Sequence, residues 1–155
     1  MKALTHSIFA FVFCVLMYHV ALPGVAAGKS VVLISGTVAL ALGPLPDLDA
    51  RTWLKFIGHR SGFSHSIVTI VLLSGLAYLL FANYPPFDLI IIPAVIAAIT
   101  SHILLDALTV SGCPLFWPFR RRRFSARLCR YDNQLVNTAI IALSLLTILV
   151  FVLYG

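Results

Sequence analysis

The chain has 155 residues, of which 61% are hydrophobic and only 10% charged, and its mean hydropathy is +1.03. A soluble domain carries about 25% charged residues, so this composition excludes a water-soluble globule, and the same apolar content excludes disorder. What remains is an integral membrane protein, read as a single domain over residues 1–155, in which 11 Lys+Arg stand against five acids that are all Asp.

Apolar stretches in chain order predict an all-α fold, a polytopic membrane bundle of about five transmembrane helices plus a short interfacial helix. The first stretch, Thr5 to Leu22, resembles a signal peptide in having Lys2, an apolar core and the small residues Ala26 and Ala27. Its core nevertheless runs to the ~20 residues of a membrane span, which favours a retained helix. The second, Ala27 to Leu45, is interrupted by Gly36, Gly43 and Pro44 and could be a broken or re-entrant helix. Ala50 to Ile57 then reads as a short amphipathic helix in the headgroup plane, with Trp53, Leu54, Phe56 and Ile57 opposed to Arg51 and Lys55. Asp49 is placed to cap it and Gly58 to end it. The remaining spans are His65 to Ala82, Leu89 to Thr109 and Leu135 to Tyr154.

Alternation of five spans puts the amino terminus, the loop from Pro46 to Ser64 and the loop from Val110 to Gln134 on one side. Of the 11 Lys+Arg, only Lys29 then falls on the other, and the positive-inside rule makes the first side cytoplasmic. A re-entrant second segment gives an equally biased charge count, but it strands His6 across the bilayer from the other polar residues. Five spans is therefore the better reading. Cys14, Cys113 and Cys129 offer neither a disulfide framework nor the paired spacing of a zinc ribbon, and Cys14 reads as a small lipid- or helix-facing residue.

Under this topology most of the sparse ionisable residues collect at the cytoplasmic side, and only His19 and Asp88 fall on the other. Ionisable groups in a membrane segment are costly and point to function. His102 and Asp106 are four apart on a helix, so they share one face, and His102 lies ~10 Å inside the helix end at Thr109. Such a pair can bind a metal, or it can be a hydrogen bond that joins two helices. Asp47 and Asp49 flank Leu48 in a turn; one could be a metal ligand and the other a general base, or Asp49 a cap and Asp47 a solvated charge. His59, Arg60 and His65 surround a flexible turn, in which Ser64 is placed to cap the third helix. His6 alone reads as an interfacial residue, and gains weight because it starts a helix on the same side. Nitrogen and carboxylate donors in this mixture suit zinc, with manganese or iron as alternatives. Ser-His-Asp catalysis through Ser64 or Ser66 ranks low, because no G-x-S-x-G elbow is present.

Trp117, Phe119 and Phe124 are interleaved with Arg120, Arg121, Arg122, Arg123, Arg127 and Arg130. The run reads first as an interfacial anchor among membrane lipids. Recognition of anionic headgroups or a lipid phosphate near Arg120 to Arg123 is the functional alternative. Nucleic acid ranks last, since no binding motif accompanies the charge. The sequence says nothing about oligomeric state.

The order of these motifs is itself informative: Thr5-His6, LPDLD (Leu45 to Asp49), HR-x-GFSHS (His59 to Ser66), SHILLDALT-x-SG-x-PLFWPF (Ser101 to Phe119) and NQL (Asn133 to Leu135). Together they resemble the YdjM-like family of bacterial membrane-bound, metal-dependent hydrolases of the LexA-regulated hydrolase type. That family is distantly similar to zinc-dependent phospholipase C. The resemblance implies a metal cluster built from His6, Asp47 or Asp49, His59 or His65, and the His102–Asp106 pair. The later His residues that complete a third metal site in the phospholipases are missing. Val136 also stands where relatives often carry an acidic residue, and Ala50 where some carry a His.

The resulting expectation is a bacterial inner-membrane protein holding one or two divalent ions, zinc by preference, at its cytoplasmic interface. His65, His102, Asp106 and Asp49 are the expected core ligands, with His6 and His59 as a second pair. A metal-activated water would attack a phosphate ester of a phospholipid or lipid-linked substrate, Asp47 accepting its proton and Arg60 holding the oxyanion. The alternatives are a non-enzymatic metal-binding or transport membrane protein, and a structural protein whose polar residues only join helices.

Overall fold

The computed structural model describes residues 1–22, 28–50, 61–120 and 122–154, the side chains of 48–50 excepted. It is all-helical, as the apolar runs predict: α1 (Ala3–Val20), α2 (Lys29–Leu42), α3 (Ile67–Phe81), α4 (Phe87–Leu108) and α5 (Gln134–Tyr154), with a 3-10 segment (Leu45–Ala50) after α2. Among the described residues there is no β-strand, only the isolated bridges Thr109–Cys129 and Cys113–Phe124. Four helical stretches, Ala3–Val20, Lys29–Asp47, Phe87–Leu108 and Gln134–Tyr154, are long and apolar enough to cross a membrane. The third expected span is the shorter helix α3. It begins two residues after His65 because Ser66, not Ser64, caps it, in a capping box with Thr69. The interfacial helix expected from Ala50 to Ile57 lies outside the described residues.

Helices α1, α2 and α4 form a central trio, with α3 packed on α4 and α5 on α1. Water cannot drive helices together inside lipid, so close approach through small side chains must do it. Ala10 and Cys14 of α1, Ala39 of α2, and Ala94, Ala97 and Ala98 of α4 supply that surface, all fully buried. At Gly36 a Cβ would come within 3.0 Å of the Phe11 ring, so that ring of α1 packs directly on the backbone of α2. Cys14 faces a helix rather than lipid, with its sulfur 3.2 Å from the Ser35 hydroxyl.

Pro93 sits inside α4 and has no N–H, which leaves the carbonyl of Leu89 without its helical donor. The Tyr18 hydroxyl of α1 donates to that oxygen, and the Ser35 hydroxyl of α2 donates to the next carbonyl, Ile90, at 2.9 Å. The proline thus frees the Leu89 acceptor for α1, and α2 bonds the neighbouring carbonyl.

At the other end of α4, the arginine-rich connection folds back over the helix terminus. Ala126 N–H donates to the Ala107 carbonyl at 2.8 Å and Leu128 N–H to Leu108 at 3.0 Å. These bonds occupy carbonyls that a helix terminus leaves open. Asn133 caps α5 through the Val136 N–H. Buried Asn137 then ties α5 to α1 by accepting from the Thr5 hydroxyl (2.7 Å) and the Lys2 N–H (3.2 Å). The starts of α1, α3 and α5 and the ends of α2 and α4 therefore gather at one pole of the bundle.

Candidate metal centre

Four of the polar residues singled out in the sequence converge at that pole. One ligand atom from each of Asp47, His65, His102 and Asp106 lies within 4.8 Å of the others. His65, His102 and Asp106 have no solvent exposure, while the Asp47 side chain is 21% exposed and opens the group to its surroundings. His102 and Asp106 stack along α4 as their spacing requires. Asp47 arrives from the 3-10 segment after α2, and His65 from the turn before α3.

The separations distinguish a ligand set from a hydrogen-bond network. Asp47 Oδ1 lies 3.6 Å from Nε2 of both His65 and His102. Asp106 Oδ2 lies 3.7 Å from His65 Nε2 and 3.8 Å from His102 Nε2. Hydrogen bonds of this type close to about 2.7–3.2 Å. Four donors at 2.0–2.2 Å from a tetrahedral ion stand roughly 3.3–3.6 Å apart, close to what is seen. Asp47 Oδ1 and His102 Nε2 make no hydrogen bond among the described residues. Buried polar atoms held so near one another without bonding are costly unless a shared ion satisfies them. The group could therefore bind a metal ion.

Both imidazoles are oriented through their second nitrogen. His102 Nδ1 lies 2.7 Å from the Gly43 carbonyl. A carbonyl only accepts, so Nδ1 carries the hydrogen and the neutral ring presents the lone pair of Nε2 to the carboxylates. Gly43 can stand this close because it has no Cβ: one placed there would lie 2.9 Å from the His6 carbonyl oxygen and 3.0 Å from Ser7 Cα. His65 Nδ1 is 2.7 Å from the Ser64 hydroxyl, which is 3.0 Å from the Ser61 hydroxyl. The turn that carries them is seated by the PLFWPF segment. The Ile67 N–H donates to the Leu115 carbonyl at 3.0 Å, and the Trp117 indole covers Gly62, where a Cβ would collide with it.

Ser64→Ala is expected to weaken metal binding about 10–100-fold, the usual effect of losing an orienting partner. The helix itself should survive, because its cap is Ser66. Titration of the detergent-purified protein against a chelating dye measures this, and an affinity equal to wild type would show that Ser64 does not orient the ring.

His6 is also fully buried at this pole. Its ring stacks on His102 with centroids 3.8 Å apart and planes 16° from parallel, and its Nε2 lies 3.5 Å from Asp106 Oδ1. The Met1 nitrogen is 2.9 Å from the same oxygen. Asp106 thus presents one oxygen to the four-residue group and the other to His6.

The group's carboxylates are Asp106 and Asp47, the latter read from the sequence as a proton acceptor. The side chain of Asp49, read as a core ligand, lies outside the described residues, as do His59, Arg60 and Arg121. Arg120, Arg122 and Arg123 are exposed. His19 packs edge-on against Phe151 near the opposite pole. Three residues that support the centre were not read as part of it: Gly43, seen only as an interruption of the second helix, Trp117, seen as part of an interfacial anchor, and Asn137.

Compared with known proteins, the chain matches the family described as YdjM inner membrane protein over residues 1–155. It is 32% identical over 115 residues to inner membrane protein YdjM of Escherichia coli (strain K12), covering 64% of this chain and 57% of that protein. The same figures hold for inner membrane protein YdjM of Shigella flexneri. The chain thus aligns with less than two thirds of the length of these relatives. No solved structure matches it. A match across the whole chain, on a multi-pass apolar bundle, settles the membership: this membrane protein belongs to the YdjM inner membrane protein family.

Proposed function

We propose that the protein is a metal-dependent hydrolase of the cytoplasmic face of the bacterial inner membrane, acting on a phosphate ester of a phospholipid or other lipid-linked substrate. The observation that carries this reading is the group of Asp47, His65, His102 and Asp106, three of them buried, with one ligand atom of each within 4.8 Å of the others and each imidazole oriented from behind. Two nitrogen and two oxygen donors suit zinc first, with manganese or iron next. A second ion at His6 and the far oxygen of Asp106 would have to displace the Met1 nitrogen bonded there. A divalent cation bound here supplies Lewis-acid polarisation and brings the pKa of water towards ~7.

The chain's own residues account for the rest. With His65, His102 and Asp106 as the three ligands, the fourth position of the ion would be left to water, and Asp47, the exposed member of the four, would mark the side of entry and accept the proton of that water. Arg60 is assigned to the developing phosphoryl oxygen on its charge and its place before His65 in the sequence. Arg120, Arg122 and Arg123, exposed beside Phe119 and Phe124, fit anionic headgroups at the interface. The bias of basic residues towards the pole of the cluster supports a cytoplasmic amino terminus and site, and the names of the relatives support the inner membrane.

A transporter would place its site near the midplane with polar access from both sides, whereas these donors gather at one pole. The test is hydrolysis of phospholipids and phosphate monoesters by zinc-loaded protein, with His102→Ala as the blank. Turnover by the wild type, reduced at least ~100-fold in the variant, is expected. Stoichiometric zinc with equal background in both proteins would replace the enzyme with a metal-binding or transport protein.

A further inference from the structure

Helix α3 leans on α4 and leaves a cleft between itself and α2, about 190 Å³ in volume and without polar surface. Leu42 and Leu45 form one wall, Leu76 and Leu80 the other, and Ile91 and Ile99 lie on the floor. From Ile91 to Ile99 the floor runs ~12 Å along α4.

All three sides lead to the same place. The α2 wall ends at Leu45, two residues before Asp47. The α3 wall starts at Leu73, eight residues after His65, and the α4 floor passes from Ile99 to His102 and Asp106 within two helical turns. Gly43, between Leu42 and the 3-10 segment, places its carbonyl on His102 at the junction. The apolar trough therefore ends two residues along the chain from Asp47, the one partly exposed carboxylate of the centre, and one helical turn from His102.

The geometry points to a hydrocarbon-chain subsite: one chain of the substrate lies in this cleft and delivers the phosphate attached to it to the metal centre. The inference rests on the hydrolase reading and deepens it. It requires an amphiphile with a chain and a phosphate on the same end, and disfavours a free phosphate ester of the cytosol. The chain chemistry has two sources, the straight acyl or alkyl chain of a phospholipid and the branched chain of an isoprenyl phosphate.

The experiment uses the zinc-loaded full chain in nanodiscs. The probes are a straight-chain alkyl phosphate and an isoprenyl phosphate, each with a diazirine at the chain end, and the alkyl alcohol without phosphate. Crosslinks are mapped by mass spectrometry. Phosphate-bearing probes are expected to label Leu76, Leu80 and Ile91 preferentially, and the stronger of the two arms identifies the chain. Leu76→Trp, which fills the cleft, should cut this labelling at least tenfold, whereas Leu79→Trp, at an 80% exposed position outside it, should not. Labelling spread evenly over the lipid-facing helices, or equal in the two variants, overturns the subsite. Zinc content and hydrolysis measured on the same samples separate the two readings. Stoichiometric zinc with even labelling removes the cleft and leaves the centre, and phosphate-dependent cleft labelling without turnover removes the hydrolase and leaves the cleft.

Discussion

Asp106→Asn is expected to strip the purified protein of bound metal while leaving its helices intact. The amide keeps the size and shape of the carboxylate but removes the negative charge that both imidazoles and His6 face. Four-donor structural sites bind zinc with roughly 10–16 kcal/mol at neutral pH, so one donor accounts for about 2.5–4 kcal/mol, or some 10²–10³-fold in affinity. Metal analysis of detergent-purified wild type, Asp106→Asn and His102→Ala measures the loss directly. Thermal unfolding supplies a second readout, because a ligand at 100 times its dissociation constant stabilises the folded state by about 2.7 kcal/mol. A chelator should therefore lower the melting temperature of the wild type and leave that of Asp106→Asn unchanged. Retention of stoichiometric metal by both variants would put the ion elsewhere. A wild type with no metal would reduce the cluster to polar contacts between helices.

The legibility of this centre differs residue by residue. His102 and Asp106 were readable because helical periodicity alone puts i and i+4 on one face, whatever else the chain does. His6, Asp47 and His65 became candidates only through sidedness. Each begins or follows a different apolar run, and the arginine bias said that those ends share a side. From the sequence, Asp49 reads as the ligand and Asp47 as the proton acceptor. Two carboxylates in a turn point according to local backbone geometry, and the 3-10 segment directs Asp47 to the imidazoles. The choice between Ser64 and Ser66 as helix cap turned on a similar one-turn detail, and Ser64 instead meets His65. The roles of Gly43 and Gly62 depend on what lies across from them, an α1 backbone and an indole ring, and such long-range neighbours leave no local pattern.

Gly43→Ala carries the second large effect, and two opposing magnitudes decide its sign. Gly43 has helical dihedrals, φ −50° and ψ −43°, so alanine fits the backbone and gains up to ~1 kcal/mol in helix propensity. The new methyl would lie 2.9 Å from the His6 carbonyl oxygen and 3.0 Å from Ser7 Cα, main-chain atoms that cannot swing aside as a side chain would. Overpacking of that kind costs about 1–3 kcal/mol, which outweighs the propensity gain. The displacement also falls on the bond from His102 Nδ1 to the Gly43 carbonyl, so metal affinity should drop a further ~10–100-fold. Gly75→Ala in α3 separates the two contributions, because a Cβ there meets nothing within 4 Å. That variant should be equally or more stable than the wild type and bind metal normally. Thermal unfolding and metal titration of the two variants in one detergent give the answer. If Gly43→Ala behaves like Gly75→Ala, the close contact of α1 with the end of α2 does not position His102. If it unfolds earlier and loses metal while Gly75→Ala does neither, the absence of one methyl group at the pole of the bundle is what holds that imidazole in place.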